Sequence, residues 1–191
     1  MNIQLIAFLG NKGSLYTNTR HNSGWLFFTH HFAHSEKLLV QKFHGLHGQL
    51  FLKQHAIRVL LPHTYMNESG VSIGAMVRYF SIPIENVLVV YDDIELPFSK
   101  VVLQKGGGLG GHNGLKSIAS NLSSKEFLRL RIGLSRPKQQ NQDVASYVLS
   151  RFSIDEEALL PTVFDKALEL IYQYIESNEK DGLLPISFSL L

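Results

Sequence analysis

Four times in this chain an apolar run gives way to a cluster of Gly, Asn, His or Asp, at Gly10–Asn22, Pro62–Gly70, Tyr91–Pro97 and Gly106–Gly114. These clusters hold the residues able to do chemistry: His21, His112, Asp92 and Asp93, with the carboxamides Asn11, Asn67 and Asn113. A histidine held by a carboxylate can take a proton from water, because the carboxylate fixes the tautomer and supports the imidazolium that forms. His21 stands at the end of a Gly-containing loop, just before a predicted helix, and Asp92 or Asp93 ends a predicted central strand. The pair His21–carboxylate is therefore the candidate general base. Each carboxamide offers one acceptor and two donors, so three together can hold a peptide backbone. With no G-x-S-x-G elbow and no cysteine, a water nucleophile is expected rather than a covalent serine or thiolate. The missing cysteines also exclude a disulfide framework and Cys-ligated zinc.

Other patterns carry less. Gly106–Gly111 satisfies G-x-G-x-x-G, with Glu126 about 20 residues on as a dinucleotide fingerprint requires. We reject that reading because His112-Asn113-Gly114 intervenes before the next helix, and because the first strand ends in Asn11-Lys12-Gly13 instead. Six glycines in the nine residues Gly106–Gly114 instead let a backbone approach something closely and adopt positive φ. His30 and His34 lie four apart, and His44 and His47 three apart, but neither pair has a third ligand at recognisable spacing, so no metal is expected. The acceptor patterns at Asn67-Glu68-Ser69 and Asn121-Leu122-Ser123 are chance matches in a chain without an export signal.

The elements that must position these residues follow from periodicity. Ile3–Leu9 is almost wholly apolar and reads as a buried strand. Ser23–Ala33 is a helix with Trp25, Phe28 and Phe32 three and four apart. Gln49–Lys53 and Ile57–Leu61 form a hairpin around Gln54-His55-Ala56. Ser69–Phe80 is a helix carrying Val71, Ala75 and Tyr79, and Val87–Tyr91 is a central strand. Val101–Gln104 is a strand and Gly114–Asn121 a helix. Leu128–Leu134 is a strand with Arg129 and Arg131 on one face, and Ser135–Asp143 a polar connection. The capping-box pattern Ser153-Ile154-Asp155-Glu156 opens a last helix through Leu159, Ala167, Ile171 and Ile175 to Asn178. The order βαββαββαβα mixes hairpins with crossovers, predicting an α/β fold with a mixed sheet and helices on its faces, in one domain spanning residues 1–191.

At 191 residues, 45% hydrophobic and 18% charged, the chain reads as an ordinary globular protein. Met1–Gly10 has neither a basic n-region nor a membrane-length apolar run, so a cytoplasmic protein without membrane attachment is expected. The net charge of +2 conceals an asymmetry. Residues 1–151 hold 16 Lys and Arg against 8 Asp and Glu, whereas residues 152–191 hold 2 against 8. Lys100–Arg151 alone carries 9 basic residues against Glu126 and Asp143. That stretch suggests a polyanionic partner.

Five segments together identify a family. They are Gly10-Asn11-x-Gly13 with Tyr16 and Thr19-Arg20-His21-Asn22-x-Gly24; Thr64-Tyr65-Met66-Asn67-x-Ser69-Gly70; Asp92-Asp93-x-x-Leu96-Pro97; Gly106-Gly107-Gly108-x-Gly110-Gly111-His112-Asn113-Gly114-Leu115; and Arg129-Leu130-Arg131-Ile132-Gly133. In order and spacing the chain resembles bacterial peptidyl-tRNA hydrolase over essentially its whole length. The resemblance implies a monomeric α/β globule with a twisted mixed sheet surrounded by helices. It implies hydrolysis of the ester joining a peptidyl carboxyl to the terminal ribose of tRNA, recycling tRNA from aborted translation, with no metal or other cofactor. Carried over by position, His21 is the base and Asp92 its orienting partner. Asn11, Asn67 and Asn113 hold the peptidyl part, with Asn67 also stabilising the oxyanion, and Tyr16 and Tyr65 join the substrate-binding set. His112 belongs to the same loop. Arg131 matches the family's phosphate-clamp arginine, while the clamp lysine's position is Gln104 here, with Lys105 next to it. Lys12 replaces a common proline, Tyr91 a common histidine, and Phe98-Ser99 a common Pro-Gly turn. Two other readings compete: an RNA-binding protein that has lost catalysis on the same scaffold, which predicts loss of His21 or Asp92, and a nucleotide-dependent enzyme using Gly106–Gly111.

Overall fold

Strand alternation divides the apolar residues of the central strands between two opposite faces, and each face is covered by helices. In a computed structural model that describes residues 3–137, 142–177 and 184–190, eight strands form one mixed sheet in the order β2-β3-β4-β1-β5-β7-β6-β8. The strands are β1 Leu5–Phe8, β2 Val40–Lys42, β3 Gly45–Leu52, β4 His55–Pro62, β5 Val87–Asp93, β6 Val101–Lys105, β7 Leu128–Gly133 and β8 Ile186–Phe188. The helices are α1 Ser23–Glu36, α2 Ser69–Phe80, α3 Asn113–Leu122, α4 Val144–Val148 and α5 Ile154–Glu176. Ile6, Phe8, Leu88, Val90, Leu128 and Leu130 pack with Phe27 and Phe28 of α1 and Val163 and Phe164 of α5. On the other face Leu5, Ala7, Val87 and Val89 pack with Ile73 and Met76 of α2 and Leu115 and Ile118 of α3. The period of two along each strand thus builds two cores from one sheet.

The mixed α/β architecture expected from element order is observed, with β4, β1, β5 and β7 parallel to their neighbours in that series and the remaining pairs antiparallel. The parallel strands all present their carboxyl ends at one edge. Three of the four polar clusters leave from that edge. The fourth does not, because β6 runs antiparallel to β7, so Gly106 starts at the opposite edge and the glycine-rich loop crosses back over the sheet. The same topology disposes of the dinucleotide fingerprint: α3 does begin directly after His112, but it joins antiparallel neighbours, which is not a βαβ unit.

Several details differ from expectation. The hairpin turns at Lys53-Gln54, with Lys53 at φ 55°, and β4 already begins at His55. α2 has the predicted span, but Val71 and Tyr79 are exposed and the buried face is Ile73, Met76 and Val77. Two small residues on that face, Gly70 and Gly74, hide it from a search for large apolar side chains. α5 has the predicted capping box, Ser153 with Glu156. Leu159 is exposed on it, and the helix ends at Glu176; the expected end at Asn178 lies outside the described residues. β2, β8 and the five-residue α4 were not expected. One close approach matters for the site. A Cβ on Gly24 would lie 2.5 Å from Leu9 N and 2.6 Å from Val90 O, so only glycine lets the start of α1 press against the ends of β1 and β5.

Candidate active site

The close packing at Gly24 brings the 3-10 turn Arg20–Asn22 against the end of β5. Asp92 shares the β5 face of Leu88 and Val90, toward α1, so it meets His21; Asp93 faces the other way. The His21 Nδ1–H donates to Asp92, 2.9 Å from each carboxylate oxygen. That bond leaves Nε2 as the lone-pair nitrogen, and His21 lines a cavity of about 750 Å³. A second histidine binds the same carboxylate: His112 Nε2–H donates to Asp92 Oδ1 at 3.3 Å, while its Nδ1 accepts from Leu115 N and caps α3. Both His112 nitrogens are therefore committed, and the ring that can serve as a base is His21.

Asp92 is 1% exposed. Burial alone would push its carboxyl up, but the two histidines that bind it hold it well below the usual carboxylate range. Burial pulls the His21 ring down, and the Asp92 charge and hydrogen bond more than offset that, raising it above its ordinary 6.5. A buried carboxylate so strongly held is a fixed negative charge beside the ring, able to support an imidazolium there.

The carboxamides stand around this pair in three different situations. Asn11 is buried, and its Oδ1 accepts from Met66 N at 2.7 Å. Its acceptor is therefore spent inside the fold, and what it can offer a substrate is its amide donors. Asn67, in the 3-10 turn Met66–Glu68, and Asn113, the first residue of α3, are exposed and line the cavity. Tyr16 and Tyr65 line it too, and the Lys12 ammonium lies 5.2 Å over the Tyr65 ring. All eight residues expected at the catalytic and peptide-binding site, His112 included, are thus gathered on one cavity.

The residues expected to bind tRNA are placed otherwise. Arg131 Nε donates to Asp93 at 2.8 Å and its Nη1 to Gln104 at 2.9 Å, on the sheet face opposite Asp92. Gln104 shares that face, whereas strand alternation assigns Lys105 to the other side of β6. Arg129 leaves the basic surface altogether. It is 1% exposed and donates to the carbonyls of Gly107, Gly108 and Lys125, pinning the loop in which Gly106, Gly107, Gly110 and Gly111 all have positive φ. Lys138 of the same basic stretch lies outside the described residues.

A family profile described as Peptidyl-tRNA hydrolase matches residues 5–183. The chain belongs to the peptidyl-tRNA hydrolase family. The peptidyl-tRNA hydrolase of Treponema pallidum (strain Nichols) is 40% identical over 189 residues, spanning 94% of this chain and 90% of that protein. That of Nitrosomonas eutropha is 43% identical over 173 residues, spanning 88% of this chain and 87% of that one. A crystal structure of the peptidyl-tRNA hydrolase of Acinetobacter baumannii superposes with a TM-score of 0.82 at 36% identity, covering 92% of this chain and 89% of that chain. The family read from five sequence segments is borne out.

Around this peptidyl-tRNA hydrolase site stand residues whose part was not foreseen. Asn22 carries Asn11: its Oδ1 accepts from Asn11 N at 2.9 Å and its Nδ2 donates to Asn11 O at 3.0 Å. Arg20 holds the turn that carries His21 from behind, bidentate to Glu156 at 2.9 and 2.7 Å, with its guanidinium over the rings of Tyr147 and Phe152 at 4.6 and 5.0 Å. Val144, Val148 and Leu149 form one cavity wall, and Glu95 and Arg136, paired with each other, stand at it. The adjacency of Arg20 and Asn22 to His21 was the available signal for the first two. Nothing local marks the α4 wall.

Proposed function

We propose that the protein hydrolyses the ester between the peptidyl carboxyl and the terminal ribose of peptidyl-tRNA, releasing peptide and free tRNA. Membership of the family supports the activity, and the observation that carries the mechanism is the His21–Asp92 pair facing a carboxamide-ringed cavity. His21 Nε2 takes a proton from water, and the hydroxide so formed attacks the ester carbonyl carbon. Asn67 donates to the oxyanion, and Asn11 and Asn113 hold the peptide backbone. As the tetrahedral intermediate collapses, the carbon–oxygen bond to the ribose breaks and the imidazolium returns its proton to the departing ribose oxygen. Asp92 supports the imidazolium throughout, and His112 keeps the carboxylate in place.

The polyanionic part lies against the β6–β7 face that carries Arg131, which contacts a backbone phosphate, and Lys105 at the end of β6 extends the basic surface. A phosphate there competes with Asp93 for the guanidinium. Arg131→Ala is expected to weaken substrate binding and reduce its salt slope by about one; an unchanged slope refutes the contact. Since aborted translation supplies the substrate, we place the protein in the cytoplasm, and on the resemblance to a monomeric family we read it as a monomer. Among the described residues no helix is long and apolar enough to cross a membrane.

The deciding assay is hydrolysis of a labelled N-blocked aminoacyl-tRNA in chelator, with His21→Ala in parallel and unblocked aminoacyl-tRNA as control. Cleavage of the blocked ester alone, lost in the variant, is expected. Binding of tRNA without cleavage overturns the enzymatic reading.

A further inference from the structure

A second group of two histidines and one aspartate lies away from the cavity, between α1 and α5. The helix α1 loses regular geometry at Phe32, with φ −129° and ψ 20°, just after the adjacent pair His30-His31. Both rings turn toward α5. His30 Nε2 is 3.0 Å and His31 Nε2 3.8 Å from the same oxygen, Asp165 Oδ1, and the three atoms lie within 4.8 Å of one another.

The His31 ring is not in a hydrogen-bonding arrangement that accounts for this. Its Nε2 is buried and has no hydrogen-bond partner, although Asp165 Oδ1 lies 3.8 Å away. In the neutral ring Nε2 can be the lone-pair nitrogen, and the carboxylate oxygen facing it also carries lone pairs. Two acceptors aimed at each other repel unless a cation or proton lies between them.

We propose that His30 Nε2, His31 Nε2 and Asp165 Oδ1 bind a divalent cation of the zinc class, joining α1 to α5. The donor set of two imidazoles and one carboxylate suits zinc, with water as the fourth ligand. Bonds of about 2.0 Å give a tetrahedron with edges of about 3.3 Å, which the observed separations of 3.0 and 3.8 Å bracket. Exposures of 31% at His30 and 59% at Asp165 leave an entry path, and Phe27 and Phe164 wall the inner side. The metal takes the place of the proton that His30 shares with Asp165; that proton moves to Nδ1 of His30, displacing none of the cleft's hydrogen bonds.

The test is titration of the chelator-stripped full chain with Zn2+ by calorimetry and with Co2+ by visible absorption, alongside thermal melting. The wild type is expected to bind one ion saturably, with the absorption of a tetrahedral nitrogen–oxygen site and a raised Tm. His30→Gln and Asp165→Asn, both at exposed positions, are expected to weaken binding at least tenfold and to abolish the Tm shift while hydrolysing substrate normally. His21→Ala is expected to bind the ion as the wild type does. Retention of the ion in His30→Gln with loss in His21→Ala assigns the metal to the catalytic cleft, whose His21, Asp92 and His112 also lie close enough to chelate, and overturns the proposal. No saturable binding overturns it as well.

Discussion

The molecule holds two clusters of the same composition, two histidines and an aspartate, at the two ends of α1's reach: His21, His112 and Asp92 at the cavity, and His30, His31 and Asp165 on the outer face. In the first, both rings present N–H donors to a carboxylate that is 1% exposed. In the second, His31 Nε2 lies 3.8 Å from a carboxylate that is 59% exposed and makes no hydrogen bond to it. In the first cluster Leu115 N–H bonds His112 Nδ1, which turns the ring's proton toward Asp92. In the second, the buried Nε2 of His31 has no hydrogen-bond partner beside Asp165. Identical residue types thus carry the proton transfer proposed in one place and the cation site proposed in the other, and the contacts around each ring distinguish them.

The contrast can be broken most sharply at the aspartates. Asp92→Asn should lower single-turnover hydrolysis on the order of 10⁴-fold, because an amide in that place no longer stabilises the required tautomer, while Asp165→Asn should leave the rate unchanged. Loss of His21 should act nearly as strongly. His21→Ala is expected to lower the rate by 10²–10⁴-fold or more with tRNA binding, measured by filter retention, close to that of the wild type. His112→Ala should be milder, about tenfold in rate, together with about 1 kcal/mol of stability from the lost helix cap, read by urea unfolding.

Ring-proton titration by NMR sharpens the comparison without any loss of function. His21 should titrate above 6.5 and His31 below it. The linked stabilities then run in opposite senses. The His21 contribution is full below 6.5 and is lost as pH rises through its raised folded value, whereas the His31 contribution is present above 6.5 and is lost as pH falls through its lowered one. Since the base must be neutral, hydrolysis should rise with pH through the His21 midpoint. In Asp92→Asn that midpoint should move down, burial being then unopposed by the charge. Equal midpoints for His21 and His31 would remove the distinction between the clusters.

The two clusters also differ in how far a linear reading reaches. His21, Asp92 and the three asparagines stand where apolar runs end in polar loops, and parallel strands carry most of those loops to one edge, so pattern alone finds them. His31 and Asp165 sit inside helices 134 positions apart; helical spacing alone pairs His30 with His34, whereas His31, four residues after Phe27, packs against that ring on the buried side of α1. Among the elements, long apolar runs such as Val87–Tyr91 and the capped α5 were legible, because burial on both faces and the Ser153–Glu156 box are local signals. The three-residue strands β2 and β8 exist only by pairing with β3 and β6, which no local preference encodes. In α2 the period was right and the phase wrong, since glycines on the packed face left Val71 and Tyr79 as the conspicuous large residues.

The bidentate contact between Arg20 and Glu156 spans 136 positions of the chain. A growing polypeptide is itself esterified to tRNA, and so belongs to the class of molecule this fold cleaves. The turn that carries His21 is made early in synthesis, but its clasp cannot close until Glu156 has left the ribosome, and the strap bearing His112 waits for Arg129. The order of the residues along the chain therefore delays completion of the cutting machinery until most of the protein has emerged.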